Sequence, residues 1–212
     1  MVRPSWFIFS DGFHRSRVTL VLKRIIDLFF GLLGLVLSSP IMVLVAIAVL
    51  LDSKGPVLFK QTRIGWRGNR FEVLKFRSMR VDAEATTGAQ WAQKNDDRVT
   101  RVGRYLRKYR LDELPQFINV IRGDMSFVGP RPERPIFVDQ LRNLISYYDE
   151  RHSVRPGITG WAQVQYEYGA SVGDACRKLE YDLFYLKNMS VFFDVVIILK
   201  TIRIILTASG AR

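Results

Sequence analysis

Four side chains suited to phosphate chemistry fall within seven residues: Arg107, Arg110, Asp112 and Glu113. A carboxylate that opens a helix faces free backbone N–H groups and the positive end of the dipole, which keeps it ionised. The same place seats a phosphate. An aspartate there can attack phosphorus and form an aspartyl phosphate, dividing one transfer into two steps. An adjacent glutamate suits Mg2+, which takes oxygen ligands and bridges phosphate oxygens. Taken alone, Asp112 also reads as a plain N-cap.

Two stiff loops add cations. Pro130-Arg131-Pro132 holds one arginine between two fixed backbones, and its planar fork suits a bidentate phosphate contact. Arg155-Pro156-Gly157-Ile158-Thr159-Gly160 combines a cation, a rigid turn, glycines and a hydroxyl. Each also reads as a surface turn with a solvated arginine. Asp96-Asp97 is a second acidic pair. It suits a metal-dependent glycosyltransferase that releases UDP, but reads more simply as a solvated turn.

The 212-residue chain carries 32 Lys and Arg against 20 Asp and Glu, a net charge of +12 that calls for an anionic partner. A membrane-tethered basic module that binds nucleic acid is the non-enzymatic alternative, but the arginines form no reader motif and no recognition helix stands out, so nucleic acid is not the expected partner. Cys176 is the only cysteine, so no internal disulfide can form. His14 and His152 stand far apart, and no zinc spacing exists. No Gly-rich nucleotide loop is present.

These groups need elements to place them. Residues 1–24 form a basic, aromatic lead-in with Trp6, Phe7, Phe9 and Phe13 before Arg15, Arg17, Lys23 and Arg24. Leu28–Leu51 has no charged residue over 24 positions. As a helix it spans about 36 Å, against about 30 Å of hydrocarbon. Pro40 removes a donor and frees the carbonyl of Val36; Ser38 and Ser39 can satisfy part of that loss. Both flanks are basic, which the positive-inside preference satisfies only if both ends stay in the cytoplasm. The expected element is a re-entrant helix–break–helix over 25–51, with arms Leu28–Leu37 and Ile41–Leu51. Asp27 opens it, either paired with Arg24 or solvated at the interface.

Residues 52–212 are then a cytosolic catalytic domain of mixed α/β, helix-rich class. Val57–Phe59 and Phe71–Phe76 are strands around the Ile64–Arg70 turn. Val99–Tyr109 is helical, with Val102, Tyr105, Leu106 and Tyr109 on one face. A second helix starts at Asp112, carries Pro115 in its first turn, and ends at Gly123. Val128–Pro135 and Ser153–Gly160 are loops, and 82–97 is a polar loop. Residues 136–150 and Val172–Lys187 are helical. Val191–Leu206 gathers Asp194, Lys200 and Arg203 on half its wheel, as an amphipathic helix on the membrane or the core does.

Several stretches in this order resemble the monotopic polyprenyl-phosphate phosphoglycosyl transferases, the bacterial sugar transferase family. They are Lys23-Arg24-x-x-Asp27, Ser39-Pro40, Lys75-Phe76-Arg77-Ser78-Met79, Leu111–Gln116, Gly123–Pro132 and Arg155–Gly160. The resemblance runs from about Lys23 to the C-terminus. It implies that Ser39-Pro40 makes the re-entrant hairpin, with Lys23, Arg24 and Asp27 at its base. It implies Asp112 as nucleophile and Glu113 as Mg2+ ligand. The substrates would be a UDP-sugar and undecaprenyl phosphate, and UMP would leave. Arg107 and Arg131 match positions that bind phosphate and nucleotide. Lys75, Arg77, Arg110, Pro130, Pro132, Arg155, Gly157, Thr159 and Asp182 complete the implied substrate-binding set. Membrane lipids are implied partners at the bacterial inner membrane, with the domain facing the cytoplasm; homo-oligomerisation stays open. Tyr168-Gly169-Ala170-Ser171 through Gly210-Ala211-Arg212 resembles the exopolysaccharide-associated branch, whose members often carry an extra N-terminal region. The chain is then a short member or the catalytic part of a longer one.

Overall fold

In the computed structural model the described residues are 17–83, 88, 96–166, 169 and 171–207. The aromatic lead-in up to residue 16, most of 84–95, Tyr168, Ala170 and the 210–212 end lie outside them.

Helix α1 covers Arg17–Asp52, 36 residues, with Pro40 inside it. The expected break is therefore not an interruption: the two arms belong to one helix that starts before residue 25. Ser39 Oγ donates to Val36 O at 2.8 Å, the carbonyl that Pro40 leaves without a donor. Ser38 Oγ donates to Gly34 O at 2.6 Å. These hydroxyls replace the missing backbone bond locally and let the helix continue.

One stripe of α1 is buried: Lys23, Asp27, Gly31, Ser38, Val45 and Val49. The spacings are four or seven residues, so the stripe follows a single helix face. Glycines allow close approach: a Cβ at Gly34 would stand 2.9 Å from Phe117 Cζ, and one at Gly31 3.2 Å from Val120 Cγ1. The remaining faces expose Val36, Leu37, Leu44 and Leu51.

The rest of the chain builds on two small sheets. Strands β1 (Leu58–Ile64) and β2 (Arg70–Phe76) pair antiparallel, from Leu58 opposite Phe76 to Ile64 opposite Arg70. A tight turn at Trp66–Gly68 joins them. Helix α2 (Arg101–Lys108) is capped by Thr100, whose side chain accepts from Gly103 N. A 3₁₀ turn, Leu111–Glu113, leads into α3 (Gln116–Arg122), which Gly123 ends at φ 92°. Strand β3 (Ser126–Val128) pairs parallel with β4 (Gly157–Thr159), although Val128 and all of β4 fall in stretches that read as loops in the sequence. Between them lie α4 (Pro135–Leu144) and a 3₁₀ turn, Tyr148–Ser153, so the helix expected over 136–150 ends early. Helix α5 (Trp161–Gln165) precedes α6 (Val172–Lys187) and α7 (Val191–Leu206).

The main core joins Val128, Val138, Leu141, Leu179, Leu186 and Ile197. A second cluster joins α1 to the domain through Val45, Val49, Phe76 and Leu106. Helix α7 turns Asp194 and Ile197 inward, while Phe192, Leu199 and Ile202 are exposed together with Lys200 and Arg203.

Both ends of α1 are tied to the same domain. Near its start, Lys23 Nζ pairs with Asp194 Oδ2. Arg24 Nη1 and Nη2 donate to Val120 O and Ile121 O at 2.7 and 2.9 Å. Asp27 does not take Arg24 as its partner; Ser126 Oγ and Phe127 N donate to it, each at 2.9 Å. Arg24 serves the open carbonyls at the end of α3, where a helix wants a cation. Near the end of α1, Val102 N donates to Asp52 Oδ2 at 3.1 Å.

Candidate active site

The site forms where the 3₁₀ turn Leu111–Glu113, strand β2 and the loop after β3 meet. Arg110 precedes the turn at φ 55°, a left-handed conformation rare for arginine, and redirects the chain out of α2. The sequence places Asp112 at a helix start. The structure puts it one turn ahead of α3, and neither the turn nor α3 has a side-chain cap. The N-cap reading of Asp112 therefore falls.

Asp112 and Glu113 meet different surroundings. Asp112 is buried. Burial pushes its carboxyl above the ordinary aspartate value; Lys75 opposes this and the Glu113 charge adds to it. Glu113 Oε1 accepts from Lys75 Nζ at 2.9 Å and from Arg131 Nη2 at 2.7 Å. Burial would raise Glu113 too, but Arg131 and Lys75 outweigh it and hold that carboxyl well below its usual range. Arg107 Nε donates to Ser78 Oγ at 3.0 Å. Arg107 and Arg110 line the same cleft as the two carboxylates, a space of roughly 1080 Å³. Asp182 borders it, buried against Arg151 at 2.9 Å.

A family model described as bacterial sugar transferase matches residues 18–208. The chain belongs to that family. Among its relatives, a UDP-N-acetylgalactosamine-undecaprenyl-phosphate N-acetylgalactosaminephosphotransferase of Aeromonas hydrophila is 51% identical over 93% of this chain and 46% of its own. A UDP-glucose:undecaprenyl-phosphate glucose-1-phosphate transferase of Escherichia coli K12 is 47% identical over 88% of this chain and 40% of its own. An exopolysaccharide production protein of Rhizobium leguminosarum bv. phaseoli is 41% identical over 86% of this chain and 94% of its own. The chain spans less than half the length of the first two.

In this bacterial sugar transferase the cleft gathers Lys75, Arg107, Arg110, Asp112, Glu113, Arg131 and Asp182. Other expected ligands do different work. Arg77 borders the cleft, but its guanidinium is buried and donates to Ser53 O, Lys54 O and Val49 O, closing the end of α1. Arg155 is away from Asp112. Its Nε donates to Gly123 O at 2.9 Å and its guanidinium stacks over Trp66 at 4.8 Å. Gly157 is a packing position, where a Cβ would stand 2.1 Å from Gly129 N. The Thr159 hydroxyl meets Thr201 of α7 at 2.7 Å. Pro130 and Pro132 act through their carbonyls, which accept from Gly157 N and Arg63 Nη1. Asp96 and Asp97 also border the cleft; the Asp96 side chain is covered and bound by Arg98 at 2.6 and 2.7 Å, so it is not the solvated turn that its sequence suggests.

The sequence reading missed Arg63, Tyr148 and Arg151, all on the cleft wall. Their only sequence signal is cationic or aromatic type within unremarkable stretches.

The donor set suits Mg2+. Among the described residues no group of three His, Cys, Asp or Glu converges. Mg2+ needs only one or two carboxylates and completes its shell with water and substrate phosphate. Glu113 is held ionised, and Lys75 and Arg131 share one of its oxygens, leaving the second for a cation.

Proposed function

We propose that this bacterial sugar transferase moves a sugar 1-phosphate from a UDP-sugar onto undecaprenyl phosphate and releases UMP, serving exopolysaccharide or glycoconjugate synthesis. The observation that carries the reading is the contrast between neighbouring carboxylates. Glu113 is neutralised by two cations and stays ionised. Asp112 is buried with its basicity raised, as a nucleophile requires.

The reaction is ping-pong. An Asp112 oxygen attacks the sugar-linked phosphorus, the bond from that phosphorus to the UMP oxygen breaks, and UMP leaves with the electron pair. A phosphate oxygen of the lipid then attacks the same phosphorus. The Asp112–phosphorus bond breaks and the carboxylate returns. Lys75, Arg107 and Arg131 stabilise the charge that spreads over the equatorial oxygens. Glu113 would hold Mg2+, which would supply charge neutralisation at the diphosphate.

The membrane placement belongs to the same proposal. Helix α1 is long and apolar enough to cross a bilayer. Yet both its ends are bound to one folded domain, through Lys23 and Arg24 at one end and Asp52 at the other. We read α1 as entering and leaving on the cytoplasmic face, with the cleft at headgroup height. A soluble and a lipid substrate both reach that height.

Candidate UDP-sugars supplied with undecaprenyl phosphate and Mg2+ test this through UMP release. UDP release instead would refute it. With donor alone, intact-mass analysis is expected to find a sugar-phosphoryl adduct on Asp112, and Asp112→Asn is expected to abolish both adduct and turnover.

A further inference from the structure

The loop that carries Arg131 is held in an unusual way. Pro130 and Pro132 have no N–H, so neither can donate to a ladder. Four successive carbonyls are gripped instead. Pro130 O accepts from Gly157 N at 3.0 Å, and Glu133 O from Ile64 N at 2.9 Å. Between them, Arg131 O accepts from Arg151 Nη2 at 2.8 Å and Pro132 O from Arg63 Nη1 at 3.0 Å.

Arg151 is itself tightly set. Its Nη1 donates to Tyr148 Oη at 2.7 Å, and Asp182 lies 2.9 Å from Nη2. Arg151 and Asp182 are both buried. A buried ion pair is a poor source of stability compared with apolar packing of the same volume, so its retention here points to geometry. The group whose geometry it sets is the backbone of Arg131, whose side chain reaches Glu113.

We propose that Arg151, with Asp182 and Tyr148 behind it, is a positioning residue that aims Arg131 at the donor phosphates. Arg63 does the same one residue further on. This rests on the transferase reading above for what Arg131 binds, but not for how the loop is held.

The test is a double-mutant cycle on the full chain in detergent, read by UMP release and by donor affinity. Arg151→Met is expected to lower kcat by ten-fold or more with KM changed less than three-fold. In an Arg131→Gln background the same change is expected to cost less than two-fold. A loss that multiplies in both backgrounds, or an Arg151→Met protein with unaltered rate, overturns the proposal. If Arg151→Met does not fold, Tyr148→Phe removes only the hydroxyl behind Arg151. A roughly three-fold loss that vanishes in the Arg131→Gln background is then expected, and a multiplying or absent loss overturns it. Hydrogen exchange on the ligand-free chain separates the two readings. Faster exchange at the Gly157 and Ile64 amides, which donate to Pro130 O and Glu133 O, in Arg151→Met or Tyr148→Phe supports the clamp even if no UDP-sugar yields UMP. Unchanged exchange there counts against it even if UMP is released.

Discussion

Asp112 and Glu113 are neighbours in the chain and opposites in environment, and the site's chemistry follows from that difference. Lys75 bonds Glu113 and also lowers the Asp112 pKa. Lys75→Met is therefore expected to push Asp112 further up. The acid limb of the kcat/KM profile should move to higher pH, because Asp112 must be ionised to act as the proposed nucleophile. A profile unmoved by the substitution would separate Lys75 from the nucleophile. Glu113→Gln leaves Lys75 and Arg131 without their counter-charge and removes the proposed Mg2+ ligand. UMP release is expected to fall about 100-fold or more, with the Mg2+ titration midpoint shifted upward. The two carboxylates were legible in the sequence because they are adjacent. Arg155 was not placed correctly. Its Arg-Pro-Gly setting suits phosphate, and only the folded chain turns it to Gly123 and Trp66.

At the scale of the element, α1 is the helix long and apolar enough to meet a bilayer. Its apolar length was plain from the sequence, and so was the role of serine hydroxyls beside Pro40. What the sequence could not tell is that the helix stays continuous, since that depends on which carbonyl each hydroxyl reaches. Single cysteines at positions 20 and 54, with Cys176 replaced, are expected to react with an impermeant thiol reagent only after the cytoplasmic side is opened. Labelling of either from the outside would make α1 a crossing helix. Lys23 and Asp194 give a second prediction. Breaking this buried pair with Lys23→Met strands a carboxylate and is expected to destabilise the folded protein by about 3–5 kcal/mol. Thermal unfolding in detergent reads this. A Lys23→Met/Asp194→Leu double variant should lose less than the single one.

At the scale of the whole molecule, α1 and α7 each set acidic or basic side chains, Lys23, Asp27 and Asp194, against the domain and leave leucine, isoleucine and phenylalanine exposed. Exposed apolar faces of this kind suit a lipid surface. Solution pH enters through His152, which burial first and then Arg151 lower from 6.5 to about 4. The unfolded chain binds a proton near pH 6.5 that the folded chain refuses until about pH 4. Stability from this residue is present above the higher value and lost as pH falls through the window, by up to about 3 kcal/mol. His152→Gln is expected to flatten the unfolding temperature between pH 7 and 5 relative to the unaltered protein; an equal slope would rule the histidine out.

Local pattern alone determined the apolar helix, most of the later helices, the β1–β2 hairpin and the adjacent Asp112-Glu113 pair. Each of these depends on residues within a few positions of one another, where periodicity and turn chemistry operate. Tertiary structure alone decided the β3–β4 pairing, the inward face of α7, and the partners of Asp27, Arg77 and Arg155. It also decided that Arg151, 20 residues from Arg131, grips its carbonyl. A long cationic side chain in a basic protein has many local uses. Which carbonyl or carboxylate it finds is set by chain crossings that no short window of sequence records.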